Sequence, residues 1–341
     1  MKEIHRMDRQ LLDWLTQRKH EETVFVHSIF EKVVNLQPKD STHFISFSLG
    51  TVVQGPLMMQ TDERQTFQSW KDSIQVGDAV AVKLMNDTMI LVGDICWSLA
   101  KVQLWDGKLW PIPLSYGEKF EEQITEFLME NGHERDSGLF MAWLTFYHKE
   151  TQIRRGRNAY SQAFLLDRKI LLSSKKRSTV DAHCGVQCIC RDATATGAEF
   201  RLRNSLFEAL HRLDKALRNG KEQEILQASN GLVGLGAGLT PSGDDFLLGC
   251  FTIWQLFAPT LFSLYQEKDW MGQIKGRTTT ISYVMLEQCL NGFVNDAFIQ
   301  LCKTNQLESF LKIGSTSGID MLIGAHFALK NIKGAYFAPS I

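Results

Sequence analysis

Gly234-Leu235-Gly236-Ala237-Gly238-Leu239-Thr240-Pro241-Ser242-Gly243-Asp244-Asp245 is the stretch from which the rest of the chain can be read. Glycines at 234, 236 and 238 predict backbone that turns tightly or lets a ligand come close, because glycine alone takes positive φ at little cost. Thr240 reads as the N-cap and Pro241 as the first residue of a helix with an acidic first turn. From Phe246 to Phe257 the sequence is almost wholly apolar, which predicts that this helix is buried. A glycine loop feeding such a helix leaves free N–H groups at its mouth, and these attract anions.

The stretch has a second copy. Ser242-Gly243-Asp244-Asp245-Phe246-Leu247-Leu248-Gly249 returns as Ser317-Gly318-Ile319-Asp320-Met321-Leu322-Ile323-Gly324, in the pattern Ser-Gly-x-Asp-x-Leu-x-Gly. Upstream, Thr240 aligns with Ser315, so each copy places a hydroxyl two residues before its Ser-Gly pair. A repeat exposes architecture; this one predicts two helix starts that face one ligand. Capping and close helix packing would account for either copy alone. Asp245 and Asp320 are equivalent in the repeat, whereas Asp244 has Ile319 opposite it and is the better candidate for a unique polar role. A first-turn carboxylate gains roughly 0.3–1 kcal/mol from the helix dipole, so a structural role competes with general-base work or metal binding at all three.

The 341 residues suffice for a full core and two domains. A formal net charge of −1 gives no nucleic-acid footprint. The charged start, Met1 to Arg9, lacks the apolar core of a signal peptide, and the longest apolar run, Phe246 to Thr260, is too short for a bilayer. The seven cysteines are odd in number and lack framework spacing. A cytoplasmic chain with free thiols, no membrane and no nucleic-acid partner is expected.

The expected fold class is α+β, with a β-rich N-terminal domain over 1–115, connecting helices and loops over 116–199, and a mainly α-helical domain over 200–341. A short helix is expected at 8–19, with Leu11, Leu12 and Leu15 on one face. Strands follow: Thr23 to Phe30, the alternating Ile45, Phe47 and Leu49, and a hairpin of Val80, Val82 and Leu84 with 88–92 across Asn86-Asp87. Together they predict a small barrel or sandwich. Trp97, Trp105 and Trp110, closed by Pro111 and Pro113, read as a cluster sealing a domain joint. Phe120, Ile124 and Leu128 at spacing four mark a helix, and so does the stripe Leu202, Leu206, Leu210, Leu213 and Leu217. Lys275 to Thr280 is expected to open a helix carrying Ile281, Val284, Met285, Phe293 and Ala297, and 314–324 to begin the last one.

Other chemistry is thinner. The run from His183 to Cys190 lacks the spacing of a zinc ribbon or finger, so no metal site is assigned there. Neither a P-loop nor a Gly-x-Ser-x-Gly elbow occurs, and the glycine stretch follows a helical segment, Lys221 to Asn230, rather than the strand of a dinucleotide fold. The basic pieces 154–157 and 175–177 read as solvated loops. His326 reads as a packed helix histidine.

The block at 234–249, Gly-Leu-Gly-x-Gly-Leu-Thr-Pro-Ser-Gly-Asp-Asp-Phe-Leu-x-Gly, resembles the hallmark of the AllH-like proteins. Thr278-Thr279-Thr280-Ile281-Ser282 and Gly314-Ser315-Thr316-Ser317-Gly318-Ile319-Asp320 look like that family's later blocks, and the resemblance extends over most of the chain. It implies a subunit of oxamate carbamoyltransferase, which takes oxalurate and phosphate to oxamate and carbamoyl phosphate in anaerobic allantoin and purine degradation. AllF-like and AllG-like subunits are the implied partners. No cofactor and no residue-level role are carried over. The phosphate motif of ordinary transcarbamoylases, Ser-Thr-Arg-Thr, has only a loose echo in Gly276-Arg277-Thr278-Thr279-Thr280.

Carbamoyl transfer to phosphate needs an anion held in line with a carbonyl carbon and donors aimed at the developing oxyanion. On this expectation Gly236, Gly238, Thr240, Ser242 and Gly243 bind phosphate, carbamoyl phosphate or the carboxylate of oxalurate. Ser315, Ser317 and Gly318 would bind the other end, Arg277 would neutralise charge, and Thr278, Thr279 and Thr280 would complete the site. Asp244, Asp245 and Asp320 are the candidates for catalytic roles. Two other readings stay open: a non-catalytic anion-binding scaffold or sensor subunit, and a hydrolase or kinase using Asp244 and Asp245 around Mg²⁺.

Overall fold

The computed structural model describes residues 2–18, 21–39, 44–86, 88–110, 112, 116–155 and 197–332. The His183–Cys190 run, the basic piece 175–177, Gly156-Arg157 and the closing Pro111 and Pro113 lie outside the described residues. The chain forms two compact units: Met1–Ile112 with Thr280–Ile313, and Pro113–Thr279 with Gly314–Ile341. A β-rich N-terminal region is followed by a mainly helical one, as the sequence predicts. The helical stretch 200–341, however, is shared out between the units, its segment Thr280–Ile313 going with the strands.

The first unit is built on one nine-stranded sheet, in the order β8-β7-β6-β2-β3-β4-β5-β1-β9. Its strands are β1 (Arg6–Asp8), β2 (Glu22–Ile29), β3 (Val33–Pro38), β4 (Ile45–Leu49), β5 (Met58–Thr61), β6 (Ala79–Asn86), β7 (Met89–Val92), β8 (Ile95–Ser98) and β9 (Gln103–Trp105). Alternation sends Val24, Val26, Val80 and Val82 to the core face. The far edge returns to the beginning of the chain: Ile4 N–H donates to Ser98 O at 2.9 Å, and Ser98 N–H donates to Lys2 O at 2.8 Å. These two bonds tie the β8 edge to the segment that leads into β1, so the sheet curls back on itself and is barrel-like rather than a two-sheet sandwich. Helices α1 (Arg9–Gln17) and α2 (Arg64–Asp72) add Leu11, Leu15, Phe67 and Trp70 to its core. Phe47 lies at the centre, 5.1 Å from the Trp97 ring and 5.3 Å from that of Phe67. Each such fully buried large apolar side chain contributes roughly 1.5–3 kcal/mol.

Two expectations are corrected here. The three tryptophans do not form one cluster. Trp97 is a fully buried core residue, Trp105 donates its indole N–H to Asp296 Oδ1 at 3.0 Å, and Trp110 is 45% exposed with the Lys303 ammonium over its ring. Nor is there one helix from 280 to 297. α10 (Thr280–Leu290) stops at Asn291-Gly292, where Gly292 takes φ +93°, and a second helix (Asp296–Thr304) starts afresh with the Asn295 side chain capping Phe298 N–H at 3.3 Å. Phe293 therefore sits in the connection and Ala297 in the next helix, α11. An apolar period read across a glycine stop joined two elements.

The second unit contains α3 (Tyr116–Asn131), α4 (Leu139–Arg155), α5 (Gly197–Asn219), α6 (Glu222–Asn230), α7 (Ser242–Phe257), α8 (Pro259–Glu267), α9 (Trp270–Ile274) and α12 (Ser317–Ile332). Phe120, Ile124 and Leu128 are fully buried, as are Leu206, Leu210 and Leu213 of the α5 stripe. At its centre α7 packs on α12, and nearly every residue of both helices is buried. The contact repeats the sequence. A Cβ at Gly249 would fall on the Met321 carbonyl oxygen, and one at Gly324 on the Phe246 carbonyl oxygen. Gly249 matches Gly324 in the two copies and Phe246 matches Met321, so the crossing is pseudo-symmetric. The missing side chains let the two backbones approach more closely than ordinary helix packing allows. Cys250 donates its thiol to Gly324 O at 3.3 Å across the same crossing.

Candidate functional site

The helix after the glycine loop begins at Ser242, one residue later than the sequence suggests. Pro241 takes the N-cap position with φ −54° and ψ 141°, and its carbonyl accepts from Asp244 N–H at 2.9 Å and Asp245 N–H at 3.2 Å. Thr240 thus lies outside the helix and does not cap it; its Oγ1 is 2.9 Å from Ser317 Oγ, which joins the first copy of the repeat to the second. Gly234, Gly236 and Gly238 all have positive φ, at +72°, +136° and +93°. Side chains at 234 and 236 would also strike Arg277 O and Ser242 N, whereas Gly238 faces open space. Among the described residues no hydrogen bond engages the backbone N–H groups of Gly236, Ala237, Gly238, Leu239 or Thr240. Ala237, Gly238 and Leu239 are exposed, and Gly236 and Thr240 half-buried. Such a row of N–H groups ahead of a helix start is suited to an anion.

Asp244 anchors the loop from behind. Its Oδ1 accepts from Gly234 N–H at 2.9 Å and its Oδ2 from the Thr278 hydroxyl, with the whole residue buried. The neighbouring Thr279 hydroxyl donates to Leu239 O at 2.6 Å, and the Arg277 guanidinium donates to Asn230 O at 2.9 Å. Residues 277–279 therefore brace both ends of the glycine loop. The asymmetry that singled out Asp244 in the repeat corresponds to this tether: only the first copy has a glycine loop to hold. Asp244→Ala should destabilise the chain by about 2–4 kcal/mol, since it removes a buried carboxylate that holds two half-buried donors; a urea midpoint unchanged from wild type would refute the tether.

Asp245 and Asp320 are the buried carboxyls of the crossing, 1% and 0% exposed. The Ser137 hydroxyl donates to Asp320 Oδ1 at 2.7 Å. Asp320 Oδ2 and both oxygens of Asp245 have no hydrogen-bond partner among the described residues. Hydroxyls surround them without completing bonds of ordinary geometry: Ser317 and Thr240 beside Asp245, Ser242 and Thr316 beside Asp320. Each serine of the repeat therefore faces the aspartate of the other copy. Burial pushes Asp245 well above the ordinary carboxylate range, and the charge of Asp320 pushes it further. Burial likewise raises Asp320, to about 7, against the opposing pull of the Ser137 and Ser242 hydroxyls. A protonated carboxyl carries no charge to repel an anion on the adjacent loop.

The remaining predicted residues divide. Gly243 and Gly318 are buried in the first turns of α7 and α12, and a side chain at 243 would fall on the Leu232 carbonyl. Ser315 is exposed, and its carbonyl lies 3.5 Å from the Arg135 guanidinium, which also reaches Gly314 O at 3.4 Å. Arg277 is exposed. Thr280 opens α10, which belongs to the first unit. Sequence reasoning missed Ser137 and Arg135, lone residues in the turn before α4. His326 is packed as expected: Trp143 Nε1 donates to its Nδ1 at 3.0 Å, and burial lowers its pKa to about 3, so it is neutral. Among the described residues no group of three or more His, Cys, Asp or Glu side chains comes together to hold a metal ion, and no helix is long and apolar enough to cross a membrane.

Two family models match this chain. Residues 232–329 match the one described as oxamate carbamoyltransferase subunit AllH, a span that contains the glycine loop and both copies of the repeat. Residues 3–104 match the AllH family N-terminal domain, which covers the barrel-like sheet into its last strand. No solved structure matches the chain.

Proposed function

Because the chain belongs to the AllH family, whose name is that of a carbamoyltransferase subunit, we propose that it works within oxamate carbamoyltransferase and binds that enzyme's anionic substrate at the paired starts of α7 and α12. The reaction takes oxalurate and phosphate to oxamate and carbamoyl phosphate. A phosphate oxygen adds to the ureido carbonyl carbon, the carbon–nitrogen bond to oxamate breaks, and the proton of hydrogen phosphate ends on the departing nitrogen. Nothing in this sequence demands a covalent nucleophile. It does demand donors fixed on a dianion and on the oxyanion of the tetrahedral intermediate.

The observation that carries the reading is the row of unengaged N–H groups from Gly236 to Thr240, held beside the Thr240–Ser317 hydroxyl contact. Gly236, Gly238, Thr240 and Ser242 would hold one end of the anion, and Ser315, Ser317 and Gly318 the other; Gly243, expected from the sequence to join them, instead donates its N–H to Leu235 O at 2.8 Å and shapes the loop. Thr278, Thr279 and Arg277 act through the loop they brace. Ser242→Ala and Ser317→Ala should each weaken phosphate binding about tenfold, the value of one hydrogen bond to a charged group, while the thermal transition is retained. Unchanged phosphate affinity in both variants would overturn the assignment.

A second reading is favoured by one observation, the burial of all three candidate catalytic carboxyls, Asp244, Asp245 and Asp320. In it the chain binds the anion while another subunit does the chemistry. Carbamoyl phosphate formation from oxalurate and phosphate separates the two, measured with this chain alone and with AllF-like and AllG-like subunits. Activity is expected in the assembly. An assembly of folded subunits with no activity would sink the carbamoyl-transfer reading and leave anion binding standing.

A further inference from the structure

The crossing of α7 and α12 holds a group of side chains that anion binding by backbone N–H groups does not use. Asp245 and Asp320 come from the two copies of the repeat, are buried to within 1% of complete exclusion, and between them present three carboxyl oxygens without partners among the described residues. Two ionised carboxylates this deeply buried cannot coexist at small cost, so burial favours a state in which at least one of them holds a proton. Beside them lie the hydroxyls of Thr240, Ser317, Ser242, Thr316 and Ser137, groups that can both donate and accept. Thr240 and Ser317 also border the loop whose N–H groups are unengaged, so the carboxyl pair sits directly behind the anion position.

We propose that the Asp245–Asp320 pair is a proton-holding positioning device: it keeps one proton between the two helix starts and takes up a second from solvent when an anion occupies the glycine loop. The inference rests on the anion-binding reading above and adds a property that reading lacks. An anion at the loop raises the cost of the remaining negative charge behind it, and proton uptake removes that cost. In the protonated state the carboxyls can donate to the serine and threonine oxygens, which frees those hydroxyls to turn their own protons toward the anion.

Other charged groups face the pair and are otherwise engaged. Asp244, on the same helix as Asp245, is bound by Gly234 and Thr278. Asp136, in the turn before α4, faces Asp320 and lies 3.6 Å from Arg203 of α5. Arg135 is at the carbonyls of Gly314 and Ser315. Farther along α12, His326 is held by Trp143, and the Lys330 ammonium lies over the Tyr147 ring.

The test is calorimetric titration of sulfate, a dianion that does not itself titrate near neutrality, into the full chain from pH 6 to 9 in buffers of different ionisation enthalpy. Sulfate affinity should fall with rising pH, approaching tenfold per pH unit for uptake of one proton, and the heats should report that proton. Asp320→Asn and Asp245→Asn copy the neutral carboxyl in shape. Each should flatten the pH dependence and bind sulfate at least tenfold more tightly than wild type at pH 8.5, which a merely structural role would not produce. Asp136→Asn should leave the slope in place. Sulfate affinity that changes less than twofold over this range, with no buffer-dependent heat, would overturn the proposal while leaving anion binding intact. So would a requirement for Mg²⁺ with proton release on its addition, which would make the pair a cation site. Absence of sulfate, phosphate and oxamate binding even at pH 6 would instead remove the reading beneath it.

Discussion

Gly249→Ala is expected to cost about 3 kcal/mol of stability, at or beyond the upper end of what overpacking costs in protein interiors. Gly324→Ala should cost the same. Most overpacking is relieved because the obstructing group is a side chain that can rotate. Here the new methyl group would meet a main-chain carbonyl, that of Met321 in one case and Phe246 in the other. A helix carbonyl cannot turn aside without giving up its own hydrogen bond, so the helices must part. Parting them also moves Ser242 from Asp320 and Ser317 from Asp245, so phosphate affinity should fall with stability. Denaturant midpoints of the two variants check this directly; a shift worth less than about 0.5 kcal/mol, the scale of an innocuous surface change, would mean the helices are not in close contact.

The second large effect is in the pH dependence of stability. The Asp320 carboxyl goes from an ordinary value of 3.8 to about 7 on folding, chiefly because burial disfavours its charged form. A group whose folded value is raised contributes stability that is complete below the unfolded value and is lost as pH climbs through the folded one. The window therefore runs from about pH 4 to about pH 7, and at ~1.4 kcal/mol per pH unit the loss across it is about 4 kcal/mol. Asp245 is raised well above its ordinary value too, chiefly by burial, so its contribution also declines as pH rises. Asp8 and Asp136, also raised by burial, add slopes of the same sign, so the decisive measurement is a difference between proteins. Asp320→Asn should equal wild type near pH 4 or fall slightly below it, and exceed it by about 2–4 kcal/mol at pH 8. Parallel stability curves for the two proteins would show that Asp320 titrates as if exposed.

The sequence announced the helices and the loop because these are set by local signals. Phe120, Ile124 and Leu128 at one spacing, a leucine stripe in α5, and three glycines in alternate positions all act within a few turns of chain. The repeat was equally legible, since Ser-Gly-x-Asp-x-Leu-x-Gly can be matched to itself without knowing where either copy lies. What escaped depends on distant partners. Asp244 looked free for chemistry because Thr278 lies far along the chain, and nothing in the local pattern says that the two meet. Ser137 donates to Asp320 across 183 positions and belongs to no periodic element. Trp97 and Trp105 sit close together in the chain, yet one fills the core of the sheet and the other bonds to Asp296. Nearness in sequence says little once a strand ends between them.

The assignment of Thr280–Ile313 to the unit of strands means that the chain passes from one unit to the other three times, after Ile112, after Thr279 and after Ile313. No single cut yields either unit by itself. A fragment ending at Ile112 lacks Ile281 and Val284, which pack on Phe44 and Leu57, and lacks the Asp296 carboxylate that Arg6 and Trp105 share. A fragment beginning at Pro113 carries α10 and α11 with none of the strands they belong to. The two units are thus unsuited to life as exchangeable modules.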